Sequence, residues 1–358
     1  ESAGSDPGPA CYDRGGMKPT VTDADLLLGY LDAENYAGGS IPLNPRRAKA
    51  VIEDTICDEL DCEVIEAAKL IREKVDDNMA NGLFTELRAR GYDPKDFTML
   101  AYGGNGPLHC CGIAQNLSID KILAPPLSSV FSAVGAGNMH QLHIHEQSLY
   151  LVLYDSNTRH IFDDYTRFNG IVAELKEKGR QDLLRQGVAA EDIYHDLELD
   201  MRYGNQLVQT TAVIPQHELR GPADVLAMIS QFSTDYGKRF GEGSQAPEAG
   251  IRINTIRVAT YAKHETVKFQ DIKPVEKAAR LAPPAPEETR TCHFVGQDGP
   301  VETPVWARKD LEPGVEIEGP AIVASEVTTF LVNPGWTLVA AKQGATWFLR
   351  NETPAITH

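Results

Sequence analysis

The strongest chemical signal in the sequence is the stretch Ala101-Tyr-Gly-Gly-Asn-Gly-Pro-Leu-His109. Phe97 to Tyr102 reads as a buried strand, Gly103 to Pro107 as a turn, and Leu108 to Asn116 as a helix. Glycines let a backbone approach a ligand without a Cβ clash, and a helix start offers unpaired N–H groups to an anion. Gly103, Gly104, Asn105 and Gly106 therefore read either as a nucleotide-contacting turn or as a tight turn without a ligand. No Gly-Lys-Ser/Thr follows, so this is not a Walker loop, and the glycine spacing does not match a dinucleotide fingerprint. His109 falls in the first turn of the helix. It is a candidate ligand contact, but a helix start disfavours an imidazolium, and a packed neutral histidine is the commoner case.

Other groups are less specific. Asp23 and Asp25 follow Pro19-Thr-Val-Thr22 at the start of a helix predicted over 23–31, with Thr22 or Asp23 as its cap. Asp23 could instead orient Mg²⁺ or water beside a phosphate. His143 and His145 would share one face of a strand, with His140 nearby, but Glu146 would point the other way, so no metal is assigned. The six cysteines form no C-x-x-C pair and read as reduced structural thiols. There is no Gly-x-Ser-x-Gly elbow, and no catalytic residue is assigned.

The elements that must position these groups divide in three. Residues 1–145 carry a helix from Asn44-Pro-Arg to about Leu60 and a longer one from Glu63 to Arg90. The longer helix has an apolar stripe at Val64, Ala67, Ala68, Ile71, Val75, Met79, Leu83 and Leu87, with Asn78 and Asn81 beside it. Strand 97–102, helix 108–116, strand 120–124 and helix 128–139 then make an α/β layer. Residues 146–272 alternate strands and helices as an α+β segment. Residues 273–358 begin with a proline-rich linker and continue as short strands with Gly and Pro turns, predicting a small β-rich domain.

The composition suits a globular chain of two or three domains: 358 residues, 42% hydrophobic. A net charge of -17 argues against a nucleic-acid surface. No apolar run is long enough to span a membrane, and no charged-then-apolar leader is evident, so a cytoplasmic location is expected. The opening Glu1-Ser-Ala-Gly-Ser-Asp-Pro-Gly-Pro-Ala-Cys-Tyr12, without Met, reads as the interior of a loop in a longer polypeptide.

Taken in order, Glu1 to Tyr12, Thr20-Val-Thr-Asp-Ala-Asp25, Tyr102 to His109, Phe131-Ser-Ala-Val-Gly135, Asp200-Met-Arg-Tyr-Gly-Asn-Gln206, Gly319-Pro-Ala-Ile-Val323 and Thr328-Thr-Phe330 resemble the A-type subunit of the hydantoinase/5-oxoprolinase family. Leu28-Gly-Tyr-Leu31 and Glu318 to Phe330 look closer to its acetone and acetophenone carboxylase branch. The resemblance implies the C-terminal half of an actin-like, ribonuclease H-like ATPase core. Gly103, Gly104, Asn105 and Gly106 would line the adenosine, though Asn105 replaces an expected small residue. The family's Asp-Gly-Gly-Thr-type phosphate turns are absent, so ATP and Mg²⁺ would be held mainly by an upstream N-terminal ATPase half. Also implied are a B-type subunit in a hetero-oligomer, a divalent metal in partner subunits, and a small-molecule substrate. That substrate is a ketone whose enol is phosphorylated along with bicarbonate, or a cyclic amide activated for opening by water. A non-catalytic assembly subunit is a third reading. In each case this chain alone is expected to be inactive.

Overall fold

The computed structural model describes residues 2–263, 268–269 and 272–351; Glu1, the first residue of the opening motif, lies outside them. The chain gathers into two compact units, residues 1–137 with 268–358, and residues 138–267.

The first unit begins with α1 (Val21–Leu27). The expected cap shifts here: Thr20, not Thr22 or Asp23, opens the helix, and Asp23 closes a capping box from its third position. Asn44 then caps α2 (Pro45–Ile52), its Oδ1 accepting the Arg46 and Arg47 N–H groups at 3.1 and 3.3 Å. A π-turn over Glu53–Cys57 carries the chain into α3 (Asp58–Leu60). Next come α4 (Val64–Ala89), β1 (Met99–Leu100), α5 (Gly106–Asn116), β2 (Lys121–Ala124) and α6 (Phe131–Gly137).

The face of α4 that packs differs from the predicted stripe. Its buried residues are Ala67, Ala68, Arg72, Asp76 and Ala80, and α4 packs on α1 and α5. The small alanines allow close approach, and the two charged residues find partners there. Met79 and Leu83 are left exposed, as are Asn78 and Asn81.

The second unit is a sheet of five antiparallel strands, β3 (Gln141–Asp155), β4 (His160–Ile161), β5 (Ile193–Tyr203), β6 (Thr210–Ile214) and β7 (Ile251–Ala262), in the order β4-β3-β7-β5-β6. The helices α7 (Tyr165–Arg185) and α8 (Pro222–Phe240) cover one face. Alternation explains the core: Leu197, Leu199, Met201 and Tyr203 point inward, meeting Phe168, Val172, Phe232 and Tyr236 of the helices.

The remaining strands return to the first unit: β8 (Glu288–Cys292), β9 (Val301–Ala307), β10 (Glu316–Glu318), β11 (Ala321–Ala324), β12 (Thr329–Val332), β13 (Trp336–Ala340) and β14 (Thr346–Arg350). Four form a sheet in the order β12-β11-β9-β8, and the others complete a mixed sheet, β1-β2-β14-β13-β10. The β-rich C-terminal stretch thus shares a sheet with the α/β layer, Phe348 standing opposite Ile122 on neighbouring antiparallel strands. Trp336, Phe348, Ile122, Cys110 and Cys111 lie in one core against α5. Cys11, Cys110, Cys111 and Cys292 are buried, and burial pushes the Cys11 and Cys110 thiols upward.

Candidate functional site

The glycine turn lies between β1 and α5 and is held at several points. Below it, Ala101 N–H donates to the Leu123 carbonyl of β2 at 2.9 Å. Gly103 takes a left-handed φ of 88° that favours glycine, and its N–H donates to the Ser128 carbonyl at 2.8 Å. The Gly104 carbonyl accepts the Thr328 hydroxyl at 2.7 Å, so the strand entering β12 clamps the turn from the C-terminal end of the sequence. Asn105 caps α5 with its main chain only, its carbonyl accepting the Leu108 and His109 N–H groups at 3.1 and 3.3 Å.

The outer side of the turn is open. Among the described residues, the N–H groups of Gly104 and Asn105 meet no acceptor. A Cβ at Gly103 would touch nothing, and one at Gly104 only the Val327 carbonyl at 3.8 Å. Neither glycine is required for packing against the described residues; Gly103 is required for its φ, and Gly104 for neither. Tyr102 beside the turn is half exposed and stands 5.7 Å from Phe131, centroid to centroid. The geometry is a rigid shelf with unpaired donors at a helix start, which suits a phosphorylated or otherwise polar ligand.

Behind the shelf lies a buried charge cluster that sequence reasoning caught only through His109 and Asp25. Arg72 of α4 donates to Asp25 Oδ1 at 2.6 Å, to Asp76 Oδ2 at 3.1 Å and to the Leu108 carbonyl at 2.5 Å. His109 Nδ1 meets Asp76 Oδ1 at 2.6 Å, and its Nε2 lies 3.6 Å from Asp25 Oδ2. Tyr30 stacks under the guanidinium at 5.6 Å. Burial works against the Arg72 charge, yet Asp25 and Asp76 outweigh it and hold the guanidinium more firmly protonated. Asp25 Oδ2 is buried and has no hydrogen-bond partner among the described residues. One guanidinium therefore ties α1, α4 and the first turn of α5 together, fixing where the glycine shelf sits. The one available signal was the i, i+4 pair Arg72 and Asp76 on the packed face of a helix.

Two of the expected site residues, His109 and Asp23, are buried. His109 is buried inside this cluster, behind the shelf, with its ring between Asp76 and Asp25. Asp23 is fully buried: Oδ1 accepts Cys11 N–H at 2.7 Å, and Oδ2 accepts the Ala10 N–H, Thr20 N–H and Thr20 hydroxyl. Those bonds tie the opening loop to α1 and give the Asp23 carboxylate a local, buried role there. In the second unit, His143 and His145 both face Asp182 of α7, at 3.8 and 2.7 Å, while Glu146 pairs with Arg257. Among the described residues, no group of three or more His, Cys, Asp or Glu could hold a metal.

Gly112 gives a test of the cluster. A Cβ there would overlap Asp76 Oδ2. Gly→Ala inside a helix ordinarily stabilises, but Gly112→Ala should cost about 1–3 kcal/mol, because it overpacks the site and pushes Asp76 from Arg72. Urea unfolding of the variant checks this; a gain in stability would mean that Asp76 is free to move aside.

The hydantoinase/oxoprolinase family model matches residues 1–144, and the model of the hydantoinase/oxoprolinase C-terminal domain matches residues 156–343, more than half of the chain. The chain belongs to the hydantoinase/oxoprolinase family. Within that family it is 36% identical over 336 residues to the acetophenone carboxylase gamma subunit of Aromatoleum aromaticum, covering 93% of this chain and 45% of that protein. The crystal structure of the ATP-dependent caprolactamase from Pseudomonas jessenii superposes with a TM-score of 0.74 at 27% identity, covering 98% of this chain and 49% of that one. The nucleotide-free structure of acetone carboxylase gives a TM-score of 0.77 at 22% identity, over 96% and 48%, and shows the shared fold. This family member spans about half the length of the relatives it matches. No helix among its described residues is long and apolar enough to cross a membrane.

Proposed function

We propose that this chain is the C-terminal part of an actin-like ATPase subunit in an ATP-dependent ketone carboxylase, with the glycine turn as one wall of the nucleotide site. The observation that carries the reading is the open outer side of Gly103 and Gly104, with Gly104 and Asn105 N–H groups that meet no acceptor among the described residues at the start of α5. A nucleotide fits there because a Cβ at Gly104 would fill otherwise empty space. Bound ATP would supply the phosphoryl group that activates a poorly reactive oxygen. The chain's own contribution is positional: Gly104 and Asn105 offer donors, Thr328 and Ser128 fix the turn, and the Arg72 cluster holds α5 behind it. The described residues do not fit Mg²⁺ by themselves, so the metal and the phosphates would be held by the portion of the family's length that this chain does not span. Activity would accordingly require that portion and partner subunits.

The 36% identity to a ketone carboxylase subunit favours carboxylation. The likeness to an ATP-dependent caprolactamase supports the second reading, opening of a cyclic amide. ADP release by the complete enzyme separates them. Release that depends on a ketone and bicarbonate together is the expected result. Release that needs only a lactam or a hydantoin would replace carboxylation by amide hydrolysis.

A further inference from the structure

We infer that the open edge of β1, with the apolar groove beside it, is where the rest of the family's polypeptide adds a strand to the five-stranded sheet. Among the described residues, β1 ends the sheet and pairs only with β2, in parallel. The opposite edge is closed: Leu281 N–H donates to Gly314 O, Glu316 N–H donates to Leu281 O, and Glu316 and Glu318 add charge there. β1 has neither device. Met99 and Leu100 carry no charge, no proline interrupts them, and Leu100 is 51% exposed. Native sheets ordinarily protect a solvent-facing edge by charge, bulge or cover, so an apolar unprotected edge marks a pairing site.

The groove beside that edge has a volume of about 330 Å³ and is lined by Leu83, Leu87, Phe97, Leu100, Ile113 and Leu117, among others. It exists because α4 outruns its partners: the packed stripe ends at Ala80, and Leu83 is 43% exposed one turn later. An extended segment paired with β1 would place alternate side chains into the groove.

The occupant follows from length. The matches cover 93–98% of this chain but only 45–49% of the relatives, so each relative has about as much polypeptide again. That polypeptide is present wherever the family's enzyme is complete, and an apolar face of this kind is covered in such an assembly. The inference rests on family membership and stands apart from the nucleotide reading: loss of ATP binding would leave it untouched.

Hydrogen exchange of this chain alone and within the complete enzyme tests it. The Leu100 and Tyr102 amides, which alternate with the Ala101 N–H already given to β2, should exchange about 100-fold more slowly in the complete enzyme, because pairing closes the edge. Unchanged exchange there would overturn the inference. As a second measurement, Leu83→Glu with Leu100→Glu should weaken association with the separately expressed remaining portion at least about 10-fold, one buried charge being costly against an apolar groove. Val213→Glu, on an exposed strand position of the other unit, should not. Undiminished association of the double variant, or a concentration-dependent dimer of this chain that the double variant abolishes, would overturn it as well, the latter by giving the face to a second copy.

Discussion

Arg72→Met should destabilise the 1–137/268–358 unit by about 3–5 kcal/mol, the range for breaking a buried ion pair by removing one partner. The size follows from what is left behind. Asp25 and Asp76 stay buried, the Leu108 carbonyl loses its donor, and only His109 remains beside the two carboxylates. Arg72→Lys should fall between, since one ammonium cannot reproduce a planar fork that reaches Asp25, Asp76 and Leu108 at once. The triple change Asp25→Leu, Arg72→Met, Asp76→Leu should recover much of the loss, because a buried ion cluster can be replaced by apolar side chains of similar volume. Denaturant unfolding followed by tryptophan fluorescence reads this unit selectively, since all three tryptophans (Trp306, Trp336 and Trp347) lie in it. A loss below about 1 kcal/mol would match a solvated surface pair and contradict the buried cluster.

Much of the fold was legible because local signals agreed. The glycine turn sits between a strand and a helix as Phe97 to Asn116 reads, and α4, α7, α8 and β7 follow periodicity and Gly or Pro punctuation. Asn44-Pro45 starts α2 for the expected reason, a side-chain cap followed by proline. Local reading failed where partners are distant. Nothing in Lys121 to Ala124 says that β14 will pair with it more than 200 residues later, so composition made the C-terminal strands look separate while hydrogen bonding joins them to β2. The same blindness affects α4. Its apolar residues suggested one face, but the helix buries Arg72 and Asp76 because Asp25 and His109, from other elements, satisfy them. Asp23 shows a nearer signal: a Thr-x-x-Asp capping box uses its carboxylate locally, and that spacing was readable in Thr20 and Asp23. The glycine shelf was visible as a motif. Its clamp by Thr328 and Ser128, and its openness on the outer side, required the fold.

The central claim is that the shelf is a nucleotide wall, and Gly104 is the place to test it. Its φ is not left-handed, and a Cβ meets nothing closer than the Val327 carbonyl at 3.8 Å, so Val at this position should leave folding stability within about 0.5 kcal/mol of the parent. A branched side chain would nonetheless occupy the space above the turn and shield the Gly104 and Asn105 donors. Calorimetric titration of the complete protein, including the portion that this chain does not span, with ATP and Mg²⁺ compares parent and Gly104→Val directly. The expected result is a Kd raised at least about 100-fold, equivalent to about 2.7 kcal/mol of lost binding, at unchanged unfolding midpoint. A folded Gly104→Val protein that binds ATP as tightly as the parent would contradict the claim and leave the glycine turn a structural bend.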